Sequence, residues 1–312
     1  MNLKTVKKNI IAKLDNWLAT IPDEQLRKDV KKNLLVSGGS IASMLLNIPV
    51  NDYDIYIKDP EVLVRLCRYY SRPYQIFVMN GAFKDALVAD LESAYKNFLT
   101  WKISEGKEGT IEDINNSYAI SLRNLQPDQI KLFIYGSGLR VNQDKKPEDL
   151  RFDPLFFSPN AISLSNDLQI VCRFHGDAEA IHKNFDFIHA TNYFTFEEGL
   201  VTNKAALESL LTRSLYYQGS LYPLTSIIRM KKFIKRGWNI NAGEILKIMF
   251  QISQLNLTDP DTLAEQLIGV DVAYFSQLID ILRGVDPEKI DSHYLNTLID
   301  RVFNESEEHE EE

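Results

Sequence analysis

The residues best suited to chemistry lie in two short groups near the start of the chain, Gly38-Gly39-Ser40 and the pair Asp52 and Asp54. Two adjacent glycines let a backbone approach a ligand closely, and the serine stands where a helix should begin, with free N–H groups that suit an anion. The two aspartates stand two positions apart in a segment with the pattern of a strand, so both carboxylates point to one face.

A carboxylate pair of this kind favours a bound divalent cation. Two like charges held close together raise each other's proton affinity unless a cation neutralises them. Mg²⁺, or Mn²⁺ in its place, suits the pair because one or two carboxylates, phosphate oxygens and water complete its coordination. With eleven residues between Ser40 and Asp52, the two groups together predict a phosphoryl-transfer site. Either group alone is more often a glycine turn or a solvated edge strand.

The elements that must position these residues follow from the hydrophobic pattern. Residues 1–33 carry apolar positions at helical spacing and predict N-terminal helices. LLVSGG predicts a buried strand, SIASMLLN a short helix and DYDIYIKD a second strand. Later strands are indicated by KLFIYG and by two segments on either side of a Ser-Asn-Asp turn that contains Asp167, where turn formation accounts for the acid. These elements predict an α+β catalytic domain over 34–200.

The rest of the chain divides by composition. Residues 83–102 predict a long amphipathic helix, and residues 105–160 contain many loop signals between short apolar pieces. From 201 to 304 strand signals nearly vanish, which predicts an all-helical C-terminal domain. The last segment, 305–312, contains six glutamates and predicts an acidic disordered tail.

Composition excludes several classes of protein. A chain of 312 residues with 45% hydrophobic and 25% charged residues is typical of a soluble globular protein with two domains. Two cysteines are too few for a disulfide scaffold or a Cys-rich zinc site, and no apolar run is long enough for a membrane span. The expected compartment is the cytoplasm. The net charge of −8 is concentrated in the tail, so the near-neutral body argues against extensive duplex binding.

One acid, Asp186, lies inside an apolar segment that also contains His189 and that has the pattern of a strand. Burying an acid among Phe and Ile side chains is costly without a partner, which favours Asp186 as a catalytic residue and metal ligand on a later strand. An aspartate that ends a helix begun at Asp177 is the alternative. His189 is expected to share the face of Asp186, where it would contact phosphate or assist proton transfer.

The densest basic cluster lies between Arg229 and Arg236. At helical spacing Arg229, Lys232 and Arg236 share one face. Lining a cleft, this face would hold a triphosphate or an RNA backbone through Arg229 and Lys232. The alternative is a solvated helix face whose basic last turn is favoured by the helix dipole.

Taken in order, Gly38-Gly39-Ser40, a helix and the pair Asp52 and Asp54 resemble the polymerase β-type nucleotidyltransferase superfamily. The resemblance implies a palm of mixed sheet and helices in which the Gly-Ser loop holds an incoming triphosphate. It also implies that the aspartate pair holds two Mg²⁺ ions and that a later strand supplies a third carboxylate.

A looser resemblance is to the head and neck of bacterial-type CCA-adding enzymes and poly(A) polymerases, which run Gly-Gly-x-Val-Arg-Asp, Asp-x-Asp and then Asp-Phe-Thr-Ile-Asn-Ala. This chain has Asp186-Phe187-Ile188-His189-Ala190 at the last of these, but Ala42 and Ser43 replace the Arg-Asp pair. The distance from Asp52 to Asp186 is far longer than the family spacing, so the resemblance implies a large insertion at about 60–160. The later half also resembles proteins encoded by large bacteriophages.

The sequence therefore predicts a metal-dependent nucleotidyltransferase that moves a nucleoside monophosphate from an NTP to an acceptor hydroxyl and releases pyrophosphate. The predicted acceptor is an RNA 3′ end, tRNA-like or other, and a protein side chain is the alternative. A catalytically silent module with the same fold, used for binding, is the rival interpretation.

Overall fold

A computed structural model describes residues 2–83, 125–134 and 138–257, with isolated residues at 118, 119, 121, 122, 259, 262, 263, 266 and 297. The chain divides into two compact units. The first unit is Met1–Ile181 with Asn192–Val201, and the second is His182–Thr191 with Thr202–Glu312. The predicted helix at 83–102, the predicted helices beyond 257 apart from isolated residues, and the acidic tail at 305–312 lie outside the described residues.

The described parts of the chain form eight α-helices and twelve strands. The helices are α1 Leu3–Leu18, α2 Glu24–Asn33, α3 Gly39–Leu46, α4 Pro60–Ser71, α5 Ala178–His182, α6 Lys204–Thr212, α7 Pro223–Lys235 and α8 Ala242–Ile252. The strands are β1 Leu34–Ser37, β2 Tyr53–Ile57, β3 Phe77–Asn80, β4 Ile130–Phe133, β5 Leu139–Arg140, β6 Pro154–Ser158, β7 Ala161–Leu164, β8 Leu168–His175, β9 Tyr193–Thr195, β10 Gly199–Val201, β11 Ser214–Leu215 and β12 Asn239–Ile240. In these parts of the chain no helix is both long and apolar enough to cross a membrane.

The first unit is built on a mixed eight-stranded sheet in the order β10-β9-β1-β2-β8-β7-β6-β5. The pair β2 and β8 is parallel, whereas the other pairs are antiparallel. One end of the sheet therefore collects the end of β1 and the beginnings of β2, β8 and β9. The predicted α+β class, with a large mixed sheet and helices, is confirmed.

The predicted N-terminal helices are present as α1 and α2. Asn2 caps α1 by accepting hydrogen bonds from the N–H groups of Lys4 and Thr5, and apolar side chains that recur every three or four residues are buried on one side of the helix. The Trp17 indole on α1 donates a hydrogen bond to the Tyr70 hydroxyl on α4 at 2.9 Å. Tertiary packing thus fixes which face α1 turns towards the rest of the first unit.

The strand predicted around Asp186 is wrong. Asp186 lies in a bend and Ile188–Ala190 forms a 3₁₀ turn, so the strand begins only at Tyr193. The backbone of this segment pairs within the second unit instead, because Ile188 N–H donates to Tyr216 C=O at 3.0 Å and Asp186 C=O accepts from Gln218 N–H at 2.8 Å. From 202 to 257 the predicted helical character holds, with α6, α7 and α8 and two short strands.

Candidate functional site

The turn after β1 brings the two sequence motifs together. Ser37 pairs with Asp54 across the antiparallel strands β1 and β2. Gly38 then turns the chain into α3 with φ 95° and ψ −152°, a conformation that L side chains rarely adopt. A Cβ at Gly38 would lie 3.0 Å from Asp54 Oδ2. The glycine turn therefore lies directly against the carboxylate, and only glycine leaves both in place.

Gly39 and Ser40 form the first turn of α3 and present ligand-binding groups. A Cβ at Gly39 would meet no described atom within 4 Å, so the space beside this backbone is open. Ser40 is buried, yet its Oγ has no hydrogen-bond partner among the residues that the structure describes. Free N–H groups at a helix start and an unsatisfied hydroxyl form a surface that suits an anionic group such as phosphate.

The aspartate pair spans the start of β2. Asp54 lies within the strand and is half-buried, whereas Asp52 precedes the strand and is exposed as a residue. The pKa of the Asp52 carboxyl is nevertheless raised, first because the carboxyl itself is drawn partly out of water and second because the negative charge of Asp167 lies nearby. The sequence predicted that Asp54 would raise the proton affinity of Asp52, whereas the causes found for Asp52 are burial and the charge of Asp167.

Asp167 is the residue that the sequence interpretation assigned only to a turn. The turn is confirmed, because Asn166 and Asp167 both have positive φ, at 61° and 52°, between β7 and β8. Tyr53 N–H donates to Asp167 C=O at 2.8 Å, and the register of β2 on β8 pairs Tyr53 with Leu168. Extending this register by one residue places Asp52 opposite Asp167. No local signal could have found this neighbour, since it depends on pairing between strands far apart in the sequence.

The oxygen donors at this end of the sheet fit a magnesium or manganese ion only in part. Asp52 and Asp54 supply carboxylates. Ser40, in the same turn, supplies a hydroxyl that has no hydrogen-bond partner among the described residues. Mg²⁺ is commonly held by one or two carboxylates with water and phosphate oxygens. Within the described ranges, no three His, Cys, Asp or Glu side chains are grouped so that they could hold a metal ion.

Asp186, the predicted third carboxylate, lies in the second unit and forms an ion pair there. Its side chain is 11% exposed, and Oδ2 accepts a hydrogen bond from Arg229 Nη1 at 2.8 Å. The cost of burying this acid is therefore offset by a cation on α7. This pairing also engages Arg229, which the sequence assigned to nucleotide binding. Lys232 lies on the same helix and is half-buried. The metal role of Asp186 stays a prediction.

His189 is buried in an aromatic cluster. It lies three residues after Asp186 in the 3₁₀ turn, so the expected shared strand face does not exist. Its ring centroid lies 4.6 Å from that of Phe233 and 4.8 Å from that of Trp238. Burial lowers the pKa of His189 to about 4, although the charge of Asp186 acts in the opposite direction. The imidazole is therefore neutral at physiological pH, and its predicted contact with phosphate is untested.

Some solved structures share a coarse similarity with this chain. The Thermotoga maritima CCA-adding enzyme complexed with tRNA is 12% identical with a TM-score of 0.37, over 86% of this chain and 52% of that chain. A tRNA nucleotidyltransferase complexed with a primer tRNA and an incoming ATP analogue is 12% identical with a TM-score of 0.35, over 83% and 59%. The chain spans between half and three fifths of the length of these structures.

A relative among characterised proteins is the Gabija anti-defense 2 protein of Bacillus phage SPbetaL7. It is 23% identical over 132 residues, which cover 42% of this chain and 32% of that protein. Residues 8–213, a stretch that includes the glycine turn, both aspartates and the complete eight-stranded sheet, match the model of a family described as Gabija anti-defense 2 family protein. The chain belongs to the Gabija anti-defense 2 family.

Proposed function

We propose that this protein is a nucleotidyltransferase that depends on Mg²⁺ or Mn²⁺ and moves a nucleoside monophosphate from an NTP to an acceptor hydroxyl. The observation that carries the proposal is the proximity of the glycine turn to the Asp54 carboxylate, since a Cβ at Gly38 would lie 3.0 Å from Asp54 Oδ2. A phosphate group held by the turn would lie beside the carboxylates that bind its counter-ion.

Each group at the turn has a specific task in this proposal. The first N–H groups of α3 and Ser40 Oγ bind phosphate oxygens, and the open space at Gly39 admits them close to the backbone. Asp52 and Asp54 hold the divalent ion. Such an ion activates an attacking hydroxyl and neutralises charge on the phosphates.

The acceptor in this proposal is an RNA 3′ end, in keeping with the order of motifs that resembles CCA-adding enzymes. A protein hydroxyl is the alternative acceptor. The family description supports a biological setting in which the transfer counteracts the Gabija defence, with the acceptor belonging to the host that carries it.

A second candidate function is a catalytically silent binding module that counteracts the same defence by occupying a surface. Three observations favour it. The described residues contain no three-ligand group for a metal ion, and Ala42 and Ser43 stand where the resembling enzymes have Arg and Asp. A third observation is that Asp186 is already paired with Arg229.

The deciding experiment follows label from each of the four α-³²P NTPs, with Mg²⁺ or Mn²⁺, into host RNA and host protein. We expect label in one of the two fractions and none with the double variant Asp52→Asn, Asp54→Asn. The matched control is Asp144→Asn with Glu148→Gln, which changes the net charge equally at exposed positions. Absence of transfer, together with absence of metal-dependent NTP binding by calorimetry, would favour the silent module.

A further inference from the structure

The N-terminal helix brings a single ammonium group to the end of the sheet that carries the aspartates. Lys13 Nζ lies 3.7 Å from Asp167 Oδ2 and 5.1 Å from the centroid of the Tyr53 ring. The lysine side chain is only 22% exposed, whereas the Asp167 side chain is 63% exposed. The ammonium group is therefore the more enclosed member of the ion pair and is held on its other side by an aromatic ring.

The position of this ammonium group is set by the packing of α1. Ile10, Leu14 and Trp17 are completely buried and fix the rotation of the helix, and Trp17 is further held by Tyr70. Lys13 lies beside this buried face and is itself half-buried. The charge is thus delivered by a rigid element rather than by a loose surface side chain.

The same end of the sheet carries three acidic residues, Asp52, Asp54 and Asp167. Asp167 lies opposite Asp52 in the register of β2 on β8, and its backbone holds Tyr53, the residue between the other two acids. A cation beside Asp167 offsets one of these negative charges. It also repels any further cation that approaches Asp52 and Asp54.

We propose that Lys13 is a positioning residue that holds Asp167 and sets how tightly the Asp52–Asp54 site binds a divalent cation. This inference rests on the metal site of the proposed function. Lys13 limits the affinity of that site for the free ion, so that the ion is held firmly only when phosphate oxygens supply further negative charge. Asp167 acts in the opposite direction by adding attraction for the ion.

The test is a titration of the full chain with Mn²⁺ alone, followed by electron paramagnetic resonance of the free ion, at low ionic strength. Lys13→Met keeps the aliphatic stem and removes the charge, and we expect it to tighten Mn²⁺ binding by about three- to tenfold. Lys13→Arg should bind Mn²⁺ as the unchanged chain does. Lys8→Met, an exposed lysine on the same helix, is the matched control for net charge.

Substitutions of Asp167 test the acidic partner of the same ion pair. Asp167→Asn and Asp167→Gly both tolerate the positive φ at this position, so the turn is kept while the charge is lost. Each should weaken Mn²⁺ binding by about three- to tenfold, whereas Lys13→Met should still tighten binding in either background, because the repulsion between the ammonium group and the ion does not require Asp167.

The outcomes separate this inference from the proposed function. If Asp52→Asn with Asp54→Asn abolishes Mn²⁺ binding while Lys13→Met behaves like Lys8→Met, or weakens binding, the role of Lys13 is overturned and the metal site stands. If the unchanged chain and the aspartate double variant bind Mn²⁺ equally or not at all, the metal site itself fails, and the role of Lys13 fails with it.

Discussion

Gly38 combines a backbone requirement and a chemical one at a single position. Its φ of 95° demands a residue without a Cβ, and the same missing atom makes room for the Asp54 carboxylate. Gly39 has neither constraint, since a Cβ there would point into open space. The two adjacent glycines should therefore respond differently to the same substitution.

Gly39→Ala should leave the fold intact, and we expect it to stabilise α3 slightly because alanine is favoured over glycine in helices by about 0.5–1 kcal/mol. If phosphate approaches this backbone, the added methyl group should weaken NTP binding by about tenfold or more. Gly38→Ala should instead lower the free energy of unfolding by about 1–3 kcal/mol through strain. Urea unfolding and NTP calorimetry measure both effects, and unchanged NTP binding in Gly39→Ala would argue against a phosphate-binding turn.

Arg229→Met tests whether Asp186 is part of an ion pair or of a metal site. Removing the guanidinium leaves a buried carboxylate without that donor, so we expect a loss of about 1–3 kcal/mol in the free energy of unfolding. Asp186→Asn combined with Arg229→Met should cost less than the two single changes added together. Arg236→Met, an exposed arginine just after α7, is the control. Loss of Mn²⁺ binding in Asp186→Asn would instead support the metal ligand predicted from the sequence.

At the scale of elements, the local sequence pattern was sufficient to predict the structure wherever interactions between residues close in the sequence determine it. The glycine turn, α3 and β2 follow one another closely, so their spacing predicted both their type and their proximity. The segment 182–191 has an equally apolar pattern, but its backbone pairs with residues 216–218 rather than with a strand of the sheet. Asp167 was missed for the same reason, because the parallel pairing of β2 with β8 is not encoded in either segment alone.

The turn around His189 should make stability depend on pH. The folded pKa is about 4, below the ordinary value of 6.5, so between these values the unfolded chain binds more protons than the folded one. Stability should therefore fall by about 1–3 kcal/mol as the pH drops from about 6.5 towards 4. His189→Phe should reduce this dependence without abolishing it, because burial lowers the pKa of His182 to about 4 as well, and His175→Gln should leave it in place. Urea unfolding at several pH values measures it, and an equal slope in His189→Phe would contradict this account.

At the scale of the whole molecule, the chain enters the second unit twice. The sheet of the first unit is completed by β10, which ends at Val201. The sequence carried no sign that 182–191 would leave the first unit before the chain returns to it. The reason is physical, because the aromatic side chains that cover His189 come from α7 and the turn after it.

A fragment that ends at residue 213, where the family match ends, should be less stable than one that ends at 257. The shorter fragment contains Phe187 and His189 but lacks Phe233 and Trp238, which pack against them. We expect it to bind a hydrophobic dye strongly and to aggregate at lower temperature. Equal dye binding and equal melting of the two fragments would show that 182–191 does not need those partners.

The assignment of residues 182–191 to the second unit, between two stretches of the first, also has a consequence for how the protein is made. A ribosome releases the chain from its N-terminus, so β9 and β10 emerge from it before Phe233 and Trp238 do. A nascent chain can therefore close its eight-stranded sheet while the loop between β8 and β9 still exposes Phe187. During each round of translation this aromatic loop is a transient target for chaperones. The time for which the loop stays exposed depends on the rate at which α7 is synthesised.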